Sequence, residues 1–186
     1  MKDLGIVVEK ASVHMCDVSA SSYKYYSENH QYHMAHFWSS MRDMELGNVS
    51  VPCQIADPLQ CDCSDAATDE KDVGWVSPSC RPWSSLGNTE DSKSPCEHED
   101  WQVTFGQEGS LCSAAAVFQW RTLLGEQVPN FAKRKNREGL AGLERLVRVL
   151  KAIKCSRSGG ARRFYTGWSA VIAHSDAWED ISRSRL

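Results

Sequence analysis

The sequence predicts an α-rich, irregular fold with about three helices, over residues 22–46, 111–124 and 137–154, a few short strands, and long disordered or loop segments. Three observations carry that expectation. Apolar residues recur at three- and four-residue spacing in those stretches, the period of a helix face. Five of the six prolines fall within residues 47–100, where no period persists. A mean hydropathy of -0.45, with 41% hydrophobic residues, leaves less apolar material than globular chains usually carry.

Taken in order, residues 4–9, "LGIVVE", form a short apolar run that suits a strand. Residues 22–46 place Tyr26, His30, His33, Phe37, Met41 and Met44 along one helical stripe. Ser21 or Ser22 serves as N-cap there, and Gly47 stands just past the end. Residues 47–100 read as a linker or irregular region, and a loop of that length argues against compactness. Order resumes at "WQVTF", where Trp101, Val103 and Phe105 alternate as in a half-buried strand. After "GQEG", Ser110 caps a helix over 111–124 that Gly125 stops.

The third helix has the clearest pattern. Leu140, Leu143, Val147 and Leu150 follow three-four-three spacing and Ile153 continues it, while Leu146 and Val149 widen the stripe. Arg145, Arg148, Lys151 and Lys154 occupy the polar side. Gly139 and Gly142 weaken the first turns by about 1 kcal/mol each relative to Ala. The organisation that follows is an N-terminal strand and helix segment over 1–46, a linker containing Pro, Ser, Asp and Cys over 47–100, and a small α+β region over 101–186 with the basic helix.

Charge is strongly partitioned. Residues 1–132 carry 8 basic and 19 acidic residues, residues 133–163 carry 11 and 2, and residues 164–186 carry 2 and 3. The net charges are -11, +9 and -1, giving the overall -3. A basic amphipathic helix suits an acidic groove, an anionic surface or nucleic acid. The chain's own acidic region is a partner available before any external one.

Other patterns are tempting and less specific. Cys61, Cys63, Cys96 and His98 supply four thiolate and imidazole groups that suit zinc. They lack the paired C-x₂-C or H-x₃-H spacing of strong zinc signatures. His30, His33 and His36 are three residues apart, so on a regular helix His36 lies about 120° from His30 and the three cannot share one ion. No G-x-S-x-G, P-loop or G-x-G-x-x-G run occurs, so no catalytic residues are assigned. "KRKNR" at 133–137 matches short basic import signals and equally a solvated helix start. Ser156 and Ser158 stand among arginines, where phosphorylation would cut the local charge.

The expectation is therefore a non-enzymatic interaction protein. Its helix over 137–154 docks an acidic partner through Arg134, Lys135, Arg137, Arg145, Arg148, Lys151 and Lys154. An acidic protein surface or the chain's own acidic region leads among partners, with nucleic acid a further candidate. The expected location is cytoplasmic or nuclear, with reduced thiols, no membrane span and no cofactor. The alternatives are a small zinc-stabilised module drawing on residues 53–112, and a young, poorly optimised gene product, since Trp, Cys, Ser and Arg without patterning are what unselected frames yield.

Overall fold

The computed structural model describes residues 13–29, 34–47, 53, 73–84, 95–133 and 140–169. Within them stand β1 (Val13–Cys16), α1 (Ala20–Asn29), β2 (Met34–Trp38), α2 (Met41–Gly47) and β3 (Val73–Val76). These are followed by α3 (Trp101–Phe105), α4 (Leu111–Phe118), β4 (Thr122–Gly125) and α5 (Gly142–Ala152), with short 3₁₀ turns between. The run at 4–9 lies outside the described residues.

The α-rich expectation is contradicted: the chain is mixed α/β. β1 pairs with β2 and β3 with β4, each pair parallel, giving two separate two-stranded sheets. Parallel strands need a long crossover, usually helical. α1 supplies it in the first sheet, and α3 with α4 supplies it in the second. Both sheets are thus strand–helix–strand units, with α1, α3 and α4 serving as connections.

The single helix expected over 22–46 is instead α1, β2 and α2. His36, Phe37 and Trp38 are all buried in succession, as in a strand covered on both faces. Phe37 happens to fall on the helical stripe, which hides the break. Ser40 starts α2: its Oγ accepts from the Asp43 N–H at 3.0 Å and donates to Asp43 Oδ2 at 2.7 Å.

Residues 101–105 form a helix where a strand is expected. Five residues fit both periods, and burial decides between them: Trp101 and Thr104 are buried while Val103 is exposed. The helix expected over 111–124 ends at Phe118, because Gln119 adopts φ 47°, a left-handed conformation that stops it. Thr122–Gly125 then form β4. Ser110 caps α4, its Oγ accepting from the Ser113 N–H at 3.1 Å while Ser113 Oγ accepts from the Ser110 N–H at 2.9 Å.

Within the stretch read as irregular, β3 alternates exposed Val73 and Trp75 with buried Gly74 and Val76. Gly74 is required there, since a Cβ would lie 2.5 Å from Trp120 Cδ2. Trp83 and Pro82 are also buried, so parts of 47–100 belong to the core.

Two clusters hold the C-terminal half together. Val76, Leu111, Ala114, Ala115 and Trp120 form one, and Trp83, Trp101 and Phe131 form the other. Leu146 of α5 packs against both, so the basic helix sits at their junction. Trp38 and Met44 make a third cluster that meets the first through Met41 and Phe118. Glu45 of α2 adds a polar link, accepting from the Gly109 N–H at 3.0 Å and from Ser113 Oγ at 2.5 Å.

Candidate functional site

α5 covers 142–152 of the 137–154 expected. Its start is shaped by Gly142, where a Cβ would lie 2.5 Å from the Phe131 ring and 2.9 Å from Trp83 Nε1. Glu144 Oε2 accepts from the Ala141 N–H at 3.0 Å. Ala141 carries no side-chain acceptor, so this is half of a capping box.

The helix has two working faces. Leu143 and Leu146 pack on the Trp83 cluster, and Leu146, Leu150 and Ile153 pack on the Leu111 cluster. At about 100° per residue, Lys151, Glu144, Arg148 and Arg145 share the opposite side. Arg148 and Lys154 are exposed and Lys151 is half-buried. Arg145 turns back so that its guanidinium carbon stands 5.2 Å over the Trp101 ring centre, a cation–π contact. Among the described residues, no ion pair joins Arg145, Arg148, Lys151 or Lys154 to an acid. Arg134, Lys135 and Arg137 lie outside the described residues.

Beyond α5 the chain folds back on itself. Cys155 N–H donates to the Arg162 carbonyl at 2.8 Å and Phe164 N–H to the Ile153 carbonyl at 2.9 Å, which sets Lys154 opposite Arg163 in an antiparallel bridge. Gly159 and Gly160 make the reversal, with φ of 59° and 81°. Exposed Arg162 and Arg163 are thereby brought beside Lys154 and enlarge the basic surface. These two arginines stand outside the set of candidates read from the sequence, although the paired glycines after a helix signal such a turn.

A groove of about 590 Å³ opens along the apolar side of α5. Leu143, Val147 and Leu150 form one wall, and the run from Leu123 to Pro129 forms the other. Trp75 and Trp168 also line it and are 71% and 57% exposed. Two large, exposed aromatic rings beside an apolar cleft are the usual anatomy of a contact surface. No sequence signal joins these residues, because β3 and the segment around Trp168 meet only in the fold.

The structure describes two of the four metal candidates, Cys96 and His98. Cys61 and Cys63 lie outside the described residues; Cys96 is exposed, and His98 uses Nδ1 to accept from the Asp100 N–H at 3.0 Å. Among the described residues, no group of three His, Cys, Asp or Glu side chains is placed to hold a metal ion. His30 and His33 are likewise outside the described residues, and the His36 ring lies against His14 with centres 4.7 Å apart and planes tilted by 47°.

Thiol chemistry varies between positions. Burial pushes Cys112 up to about 12, and burial followed by the carboxylates of Asp17, Asp43 and Glu45 does the same to Cys16. Cys155 moves the other way, lowered chiefly by the Ser158 backbone N–H.

Among the described residues, no helix is long and apolar enough to cross a membrane. Comparison with protein families, with curated proteins and with solved structures gives no match.

Proposed function

We propose that the protein is a non-enzymatic interaction module that docks an acidic protein surface on its basic helix. The observation that supports this best is the division of α5. Its leucines anchor it to both C-terminal clusters, while Arg148, Lys151 and Lys154 meet no acidic side chain among the described residues. Packing holds the helix rigid, so its charges are presented in a fixed array. A fixed array loses less side-chain entropy on binding than a flexible tail.

The same reading places the protein in the cytoplasm or nucleus, in keeping with the free thiols of Cys16, Cys80, Cys112 and Cys155. Zinc binding through Cys61, Cys63, Cys96 and His98 is a separate proposal that elemental analysis of the purified chain would decide.

The test is fluorescence anisotropy with a labelled Glu-rich peptide, beside a Gln-for-Glu peptide of the same length. Binding of the acidic peptide alone is expected, weakening as salt is raised. Arg148→Glu with Lys151→Glu should reduce affinity about tenfold, since rim charges contribute on the order of 1 kcal/mol. Equal binding of the two peptides, or no effect of the double reversal, would contradict the proposal. Preference for duplex DNA or anionic vesicles over the peptide would replace an acidic protein as partner.

A further inference from the structure

We infer that the groove along α5 is a binding site for a small organic cation with an apolar body. None of Arg148, Lys151 and Lys154 lines it, so this site is independent of the basic-helix reading. Its volume of about 590 Å³ is of the size that encloses a small molecule, and its walls are chiefly apolar. The described lining holds no Lys, Arg or His, and Glu126 is its one formal charge. Glu126 is exposed and joins no ion pair among the described residues. Gln127, the other long polar side chain there, is already committed. Its Nε2 donates to the Pro78 carbonyl at 2.7 Å and its Oε1 accepts from the Val128 N–H at 3.3 Å. The Glu126 carboxylate therefore remains for a ligand, and it selects a positive one.

Strand register sets an aromatic ring on the same face as that carboxylate. Trp75 of β3 pairs with Leu124 of β4. The Glu126 N–H donates to the Val76 carbonyl at 3.1 Å, so the pairing runs on past the end of β4. A period of two then puts Leu124 and Glu126 on the face of Trp75. All three are exposed. An indole face carries the negative part of the ring quadrupole and attracts cations more strongly than Tyr or Phe. Trp168, a second exposed indole, also lines the groove. Neither ring meets another aromatic ring or a cation among the described residues. For the apolar body of the ligand the groove offers Leu123, Leu143, Val147 and Leu150. An anion finds no cationic partner in that lining, and a neutral molecule gains the apolar contact alone. Repulsion from the cations of α5 is screened over a length of about 8 Å at physiological ionic strength.

The probe is benzyltrimethylammonium, titrated into the full chain at physiological ionic strength while Trp emission and amide NMR shifts are followed. N,N-dimethylbenzamide is the neutral comparator of similar size, and phenylmethanesulfonate is the anionic one. Saturable binding of the cation is expected, about fivefold tighter than the neutral compound, with no binding of the anion. Its shifts should fall at Trp75 and within residues 123–126 and 143–150. Glu126→Gln should weaken the cation about fivefold and change the neutral compound by less than about twofold. Trp75→Ala should weaken the cation by about the same factor. Both side chains are exposed, so these variants keep the fold, which circular dichroism checks. Equal affinity for the cation and the neutral compound, or an unchanged affinity in Glu126→Gln, would overturn the cationic class of ligand. Shifts confined to other parts of the chain, or no saturation by the cation, would overturn the site. Arg148→Glu with Lys151→Glu should leave the cation bound, and its loss there would overturn the independence of the two sites. Tighter binding of a capped trimethyllysine peptide than of the free ammonium would overturn the choice of a small molecule as occupant.

Discussion

The side-chain amide of Gln119 is joined to the backbone of Lys154, with Nε2 donating to the Lys154 carbonyl at 2.8 Å. The same amide accepts through Oε1 from the Ser156 N–H at 3.1 Å and from Ser156 Oγ at 3.0 Å. Gln119 is also the left-handed residue that ends α4, so one position stops a helix and ties down the exit of the basic one.

Gln119→Ala removes these bonds and leaves the backbone strain in place. A cost of about 1–2 kcal/mol is expected, concentrated on the turn after α5 and reduced by its exposure to water. Native-state hydrogen exchange should show faster exchange at Cys155 and Phe164, with α4 amides nearly unchanged.

Leu146→Ala should be the costly substitution in α5, because Leu146 packs on both C-terminal clusters. A loss of about 2–3 kcal/mol in urea denaturation is expected. Arg148→Glu should change stability by less than about 1 kcal/mol, since its charge is exposed. Comparable losses from the two would mean that the faces of the helix are wrongly assigned.

These contrasts also show what the sequence made legible. α5 was readable because eleven residues with a wide leucine stripe and a run of cations leave one face to bury and one to hydrate. The Ser110 cap was readable because capping is local chemistry. The strands were not: each has four or five residues, and β2 buries three side chains in succession instead of alternating. Their pairing is parallel and distant in sequence, so no turn motif announces it. The groove depends on that pairing, so Trp75, Leu124 and Trp168 carried no sign of belonging together, while the cationic half of the surface was visible as composition alone.

The fold should lose stability between pH 9 and 12. Burial raises Cys112 and Cys16 from 9.0 to about 12, and raises Tyr165 from 10.0 to about 12. Each folded value lies above the unfolded one, so the unfolded chain releases protons first as pH rises. Stability is complete below pH 9 and declines toward pH 12. Thermal melts at pH 8 and pH 10.5 should show a clear drop in Tm, smaller in Cys112→Ala relative to that variant's own value at pH 8.

Tyr165 offers a stabilising change. Its hydroxyl is buried without a hydrogen-bond partner, and a buried polar group in that state costs free energy. Tyr165→Phe should raise stability by about 1 kcal/mol, measured by urea denaturation near neutral pH. A loss of stability would show that the hydroxyl is satisfied in solution.

Amide NMR of the full chain during titration with a Glu-rich peptide reads, residue by residue, whether the basic face of α5 binds an acidic protein segment. Saturating, salt-sensitive shifts are expected at Arg148, Lys151, Lys154, Arg162 and Arg163, and none in α1. Shifts that centre on α1 or α2 and ignore α5, or shifts unchanged by Arg148→Glu with Lys151→Glu, would contradict that binding.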